Sequence, residues 1–141
     1  MNFIILGAPG SGKGTQAVRF AGRWNLDHVS TGDLLREAVA NRSPLGEQVK
    51  EVLASGGLVS DEIVQALIKG ALAGRNSDTR GWILDGYPRT RGQAQALETI
   101  LEETGSKLDG VILLEVEAEV IVDRLSNRRT CGSCKAVYNL L

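Results

Sequence analysis

The sequence predicts an α/β domain, a parallel sheet with helices on both faces. Three observations predict it. Strand-like apolar runs alternate with helical patterns along the 141 residues. The runs Gly81–Gly86 and Gly110–Val116 are continuously apolar at their centres rather than alternating, as suits strands covered on both sides. The glycine-rich stretch Gly7–Thr15, GAPGSGKGT, joins an apolar run to a helical one. Right-handed crossovers then bring ligands to the carboxyl ends of the strands. That gathers Gly7–Thr15, Ser30–Asp33 and Asp85–Thr90 around one crevice.

Taken in order, Phe3–Leu6 reads as a buried strand and Thr15–Trp24 as the helix after the glycine-rich turn. Asp27–Ser30 is a second short strand. Thr31 is a candidate N-cap for a helix running to about Asn41. Ser43-Pro44 starts another helix, with serine at the cap and proline in the first turn. Its apolar positions Leu45, Val49, Val52 and Leu53 repeat at helical spacing, and Ser55-Gly56-Gly57 ends it. Ser60-Asp61-Glu62 opens the next helix, with acids at the positive end of its dipole. Ile63, Leu67, Ile68, Ala71 and Leu72 form its buried stripe. Gly81–Gly86 is a strand, and Thr90 caps a helix carrying Ala94, Leu97, Ile100 and Leu101. Gly110–Val116 is a strand, Glu117–Asn127 a helix, and 128–138 the start of a β-ribbon or knuckle.

Composition sets bounds on function. Apolar residues make up 43% and charged residues 23%, ordinary for a globular protein, and the length suits one domain with a real core. A formal net charge of −1 gives no reason to expect nucleic acid or an anionic membrane as partner. No apolar run is long enough to cross a bilayer, and no secretory signal opens the chain. The expectation is a cytoplasmic monomer. Two cysteines do not make an extracellular disulfide framework.

The chemistry centres on Gly7–Thr15, whose spacing is that of a phosphate-binding P-loop. Glycines let backbone N–H groups approach phosphate oxygens with no Cβ in the way. The helix start adds unpaired N–H groups and a positive dipole end. Lys13 brings a mobile charge, and Thr15 can offer a contact near bound Mg2+. Asp85 ends its strand beside the loop and can hold Mg2+, or simply make a turn hydrogen bond. Arg36 and Arg89 flank the same crevice. Arg124 and Arg128 stand four apart on one helix face, as phosphate ligands or as surface solvation. Gln93 follows Thr90 at capping-box spacing, so it serves either as a cap or as a base reader. Cys131 and Cys134 have the spacing of half a four-ligand zinc site.

GAPGSGKGT, STGDLLR, GGLVSDEIV, LDGYPRTRGQAQAL, VDRLSNRR and CGSC together resemble the adenylate kinase family, in its bacterial type with a zinc-bearing lid. The resemblance implies the P-loop nucleoside monophosphate kinase fold, with a parallel sheet here of four strands in the order 2-3-1-4. It implies reversible phosphoryl transfer, ATP and AMP giving two ADP, with Mg2+. Residues 1–29 and 60–126 would form the core, 30–59 an AMP-binding arm, and 127–141 the first part of the lid. Gly10, Ser11, Gly12, Lys13, Gly14 and Thr15 would grip ATP, with Arg124, Arg128, Val137 and Tyr138. Thr31, Arg36, Gly57, Leu58, Val59, Gly86, Tyr87, Pro88, Arg89 and Gln93 would hold AMP. Lys13, Arg36, Asp85, Arg89, Arg124 and Arg128 would be the catalytic set, with no general base because the AMP phosphate is already anionic.

Members of that family continue well past the position of Leu141. The resemblance therefore implies a chain cut inside its lid, lacking two further zinc ligands, two arginines, a last strand and a final helix. Such a chain should keep some nucleotide affinity and have little turnover. Structural Zn2+ would need the rest of the lid. The competing readings are a kinase for another monophosphate such as UMP or CMP, and a nucleotide-binding fragment without turnover. The guanine-reading signature of a switch GTPase is absent.

Overall fold

A computed structural model describes residues 1–134 and 136–140. Its core is a four-stranded sheet in the order β2-β3-β1-β4, built from β1 (Asn2–Gly7), β2 (Asp27–Ser30), β3 (Trp82–Asp85) and β4 (Gly110–Leu114). Every pairing is parallel, with Ile5 and Ser30 both in register with Asp85. The order predicted from the resemblance is the order found.

The pleat of β1 and β3 sends successive side chains to opposite faces, and the two faces meet different helices. Ile4, Trp82 and Leu84 face α4 (Asp61–Ala73) and α5 (Arg91–Glu103), packing with Ile68, Leu72, Leu97 and Ile100. Ile5 and Ile83 face α1 (Lys13–Trp24), packing with Ala17, Ala21 and Leu26. All four β3 residues are buried, so this strand anchors both layers. Each large apolar side chain so enclosed contributes about 1.5–3 kcal/mol relative to exposure.

Local signals explain most boundaries. Ser43 caps α3 (Pro44–Ala54), accepting from the Gly46 N–H at 2.9 Å, and Pro44 opens it. Thr90 caps α5, accepting from Gln93 N–H at 3.2 Å. Asn25, at φ 53°, closes α1 in the left-handed region.

Four expectations are corrected. The first helix starts at Lys13, not Thr15, because Gly12 at φ 92° already supplies the turn into it. Ser30, not Thr31, caps α2 (Thr31–Ala40), accepting from Asp33 N–H at 3.4 Å; Thr31 turns inward instead and is buried. The strand β4 is shorter than Gly110–Val116 and is not covered on both faces: Val111 and Leu113 are 54% and 60% exposed. It lies at the sheet edge, and no helix among the described residues covers that side. Finally, α6 (Ala118–Ser126) ends at the Asn127 cap, so Arg128 leaves the helix and joins β5 (Arg128–Thr130). Arg124 and Arg128 therefore do not share a helix face. β5 pairs antiparallel with β6 (Val137–Asn139), the ribbon that was expected.

Candidate functional site

The carboxyl ends of β1 and β3 frame a crevice of about 220 Å³, lined by Gly7, Pro9, Lys13, Gly86, Pro88 and Arg89. The loop after β1 forms one wall. Its tightness comes from glycines at positions that take no side chain. A Cβ on Gly7 would stand 2.6 Å from Ser11 Oγ and 3.0 Å from the Leu114 carbonyl oxygen. Gly10 and Gly12 adopt φ 85° and 92°, which L side chains rarely enter. Ser11 N–H donates to the Ala8 carbonyl at 3.1 Å, and Gln16 N–H starts the helical ladder at Gly12.

Helix α6 braces this loop from outside. Arg124 Nη1 donates to the Ser11 carbonyl at 3.2 Å and to the Gly10 carbonyl at 3.4 Å. Leu125 packs so closely that a Cβ on Gly10 would meet it at 3.0 Å. Arg124 thus ties the Gly10 and Ser11 carbonyls of the loop to α6. Arg128 stands on the exposed ribbon with Val137 and Tyr138. The ribbon is tied to α6 by Asn139 Nδ2, which donates to the Arg124 carbonyl at 3.3 Å.

The end of β3 forms the other wall. Asp85 is buried on the α1 side, where a Cβ on Gly14 would lie 3.3 Å from its Oδ2. His28 Nε2 meets the same oxygen at 3.4 Å. The Gly86 carbonyl, next in sequence, accepts from Arg89 Nε at 2.8 Å and from Thr31 Oγ1 at 3.4 Å. Thr31, Gly86 and Arg89 are thus brought together. Tyr87, in a cis bond to Pro88, is 1% exposed; its hydroxyl has no hydrogen-bond partner among the described residues. Burial, and then the nearby Asp61 carboxylate, hold the Tyr87 pKa above its ordinary value.

The remaining expected residues lie farther out. Arg36 folds back onto Asp33 in an exposed ion pair on its own helix. Gly57, Leu58 and Val59 sit in the connection from α3 to α4, with Leu58 almost wholly exposed. Gln93 is held at both ends: Oε1 accepts from Arg89 N–H at 2.7 Å, and Nε2 donates to Asp61 Oδ1 at 2.7 Å. The capping contact is thus real but reaches one residue before the cap itself.

Two participants were missed from sequence. His28 was read only as part of the Asp27–Ser30 strand, although its place beside the Asp85 strand follows once β2 and β3 are neighbours. Asp61 was read only as a dipole-favoured acid. A second cavity, about 290 Å³, opens between β2, α2 and α4 near Asp27, Asp33 and Arg75, and shares no residue with the crevice.

The donor sets differ in what cation they suit. Mg2+ is held by one or two carboxylates together with substrate phosphates rather than by an all-protein cage. A buried carboxylate facing the loop, and the buried Ser11 hydroxyl with no partner among the described residues, fit that mode. Zinc is different. Cys131 and Cys134 give two ligands at the β5–β6 turn, and no group of three His, Cys, Asp or Glu able to hold a metal occurs among the described residues. The set present does not complete a tetrahedral site.

Among the described residues, no helix is long and apolar enough to cross a membrane. The family model described as adenylate kinase matches residues 5–138. An adenylate kinase of Kosmotoga olearia is 51% identical over all of this chain and 65% of its own length. Those of Fervidobacterium nodosum and Archaeoglobus fulgidus are each 48% identical over all of this chain, covering 64% of theirs. The chain thus spans a little under two thirds of these curated relatives.

Proposed function

The chain belongs to the adenylate kinase family, and from that premise we propose that it binds ATP and AMP on opposite walls of the crevice and serves phosphoryl transfer between them, giving two ADP. The observation that carries the reading is the meeting of Lys13, Gly86 and Arg89 around one crevice, beneath a loop with glycines at φ 85° and 92°. Gly10–Thr15 would cradle the ATP phosphates. Residues 30–59 would serve as the AMP arm, and 127–141 would contribute to a lid over ATP through Arg128, Val137 and Tyr138. Thr31, Gly57–Val59, Gly86–Arg89 and Gln93 would hold AMP.

Phosphoryl transfer needs positioning and charge stabilisation more than covalent chemistry by the protein. The AMP phosphate is already anionic, so no side chain has to remove a proton from it. Lys13, Arg36, Arg89 and Arg124 would share the charge of the transferring group. Arg36 would have to leave Asp33 to do so. Asp85, oriented by His28, would hold Mg2+, which when bound would neutralise phosphate charge. Cys131 and Cys134 would ligate zinc only with two further ligands, so no step is assigned to it. Closure of arm and lid would exclude water from the transfer.

Calorimetric titration with ATP, AMP, UMP and CMP, alongside ADP formation from each pair, tests this reading. AMP binding well ahead of UMP and CMP is the expected result. Preferential binding of UMP or CMP would move the chain to another monophosphate, and failure of ATP to bind would remove the loop assignment.

A further inference from the structure

We infer that Asp61 is a specificity-determining residue: by fixing which way round the Gln93 amide sits, it selects a 6-aminopurine monophosphate over a 6-oxopurine one. The inference rests on the AMP reading above and extends it to a residue outside the expected nucleotide contacts.

Asp61 stands in the first turn of α4 and Gln93 in the first turn of α5, so two helix starts face each other. Gln93 Nε2 donates to Asp61 Oδ1, and Gln93 Oε1 accepts from Arg89 N–H, each at 2.7 Å. An ionised carboxylate offers only acceptors, and a backbone N–H only a donor. Reversing the amide would turn its oxygen toward the Asp61 carboxylate and its NH2 group toward the Arg89 N–H. Both contacts would become repulsive together. Nor can the Arg89 backbone easily adjust, because Arg89 Nε is itself bound to the Gly86 carbonyl at 2.8 Å.

Once these two bonds are made, the amide retains one N–H and one acceptor position. That remaining pair has a fixed polarity. Adenine presents an amino donor beside a ring-nitrogen acceptor, which matches it. Hypoxanthine and guanine present a carbonyl acceptor beside a ring N–H donor, which needs the amide reversed. A site of this kind rejects the wrong base because correct pairing for the base would unpair the protein. Asp61 thus acts through Gln93 and is a positioning residue.

The test uses the whole chain, with wild type and Asp61→Asn titrated calorimetrically with AMP and with IMP. Asparagine is nearly isosteric and can donate or accept, so it lifts the Asp61 half of the constraint on the amide and leaves the Arg89 N–H half in place; Asp61 is exposed, so the fold is retained. The AMP-to-IMP affinity ratio should fall about tenfold in the variant, the scale of one lost hydrogen bond, chiefly through tighter IMP binding. Exchange of the Gln93 side-chain amide protons, followed by NMR without nucleotide, should quicken in the variant. A ratio unchanged within twofold while AMP still binds would overturn the inference and leave the AMP reading intact. Equal weakening of both nucleotides would also overturn it, reducing Asp61 to a support for the helix start. A wild-type chain that binds neither nucleotide would remove the AMP reading itself and this inference with it.

Discussion

His28 Nε2 stands 3.4 Å from Asp85 Oδ2, linking neighbouring parallel strands on the side of the sheet that carries α1 and the glycine-rich loop. The two side chains are only 21% and 11% exposed. The ring therefore satisfies a carboxylate that water reaches poorly. His28→Leu should lower unfolding free energy by about 1 kcal/mol, since it leaves a mostly buried acceptor without its donor. His28→Gln keeps an N–H at similar reach and should lose less than half of that. Urea unfolding of both variants decides the matter. Equal stability of the two would show that the contact does not hold Asp85.

Tyr87 is a different kind of buried polar group. Its ring is 1% exposed, and its hydroxyl has no partner among the described residues. Tyr87→Phe keeps the packing and removes an unsatisfied oxygen, so the variant should be more stable by about 1 kcal/mol at neutral pH. The pH dependence has a definite sign. Burial first, and Asp61 second, raise the folded pKa above the ordinary value of 10.0. Below pH 10 both folded and unfolded tyrosine are neutral, and this contribution is fully present. As pH rises past 10 the unfolded chain ionises first, and folding loses stability. The gap between Tyr87→Phe and wild type should therefore widen above pH 10 in thermal unfolding. A gap that narrows there would contradict the assignment.

Gly46 shows what a sequence conceals. It lies within α3, and a Cβ there would fall 1.8 Å from the Ala38 carbonyl oxygen of α2. The two helices touch backbone to backbone at this point. Gly46→Ala should push them apart at a cost of about 2–3 kcal/mol, although alanine is the better helix former. Hydrogen exchange should locate the damage. Protection should fall across 31–54 and persist in β1 and β3. Uniform loss across the chain would mean that the arm and the core unfold together.

Much of the fold was legible because its signals are local. The strand at Trp82–Asp85, the Ser43 and Thr90 caps and the glycine-rich turn each announce themselves within a few residues. The crevice was legible because strand ends are where α/β sheets gather function. What escaped depends on distance through space. The Gln93–Asp61 bond joins residues 32 apart, and His28–Asp85 joins residues 57 apart. Arg128 was set on a helix face with Arg124 from four-residue spacing alone, although the helix stops at the Asn127 cap and Arg128 opens β5. The exposed Val111 and Leu113 were misread because a continuous apolar run says a strand is buried somewhere, not which neighbour buries it.

Arg124 offers the sharpest separation between the two walls of the crevice. Its guanidinium bonds the carbonyls of Gly10 and Ser11, so it acts on the backbone that the loop must hold still. It also adds positive charge near the expected position of the ATP phosphates. Arg124→Ala should remove both effects and weaken ATP binding at least tenfold, given about 1.5–3 kcal/mol for hydrogen bonds to a charged group. Lysine at this position should recover part, because both contacts come from one nitrogen, Nη1, and an ammonium keeps the charge and enough N–H donors for two carbonyls, but on a different stem. AMP affinity should change less than twofold, since Gly86, Arg89 and Gln93 lie on the other wall and make no bond to α6 among those described. Arg128→Ala, on the exposed ribbon, should cost ATP affinity less than Arg124→Ala does. Titrations of the three variants with each nucleotide distinguish these outcomes. If Arg124→Ala weakened AMP as much as ATP, the brace would be acting on the whole sheet, and the assignment of α6 to the ATP wall would fall.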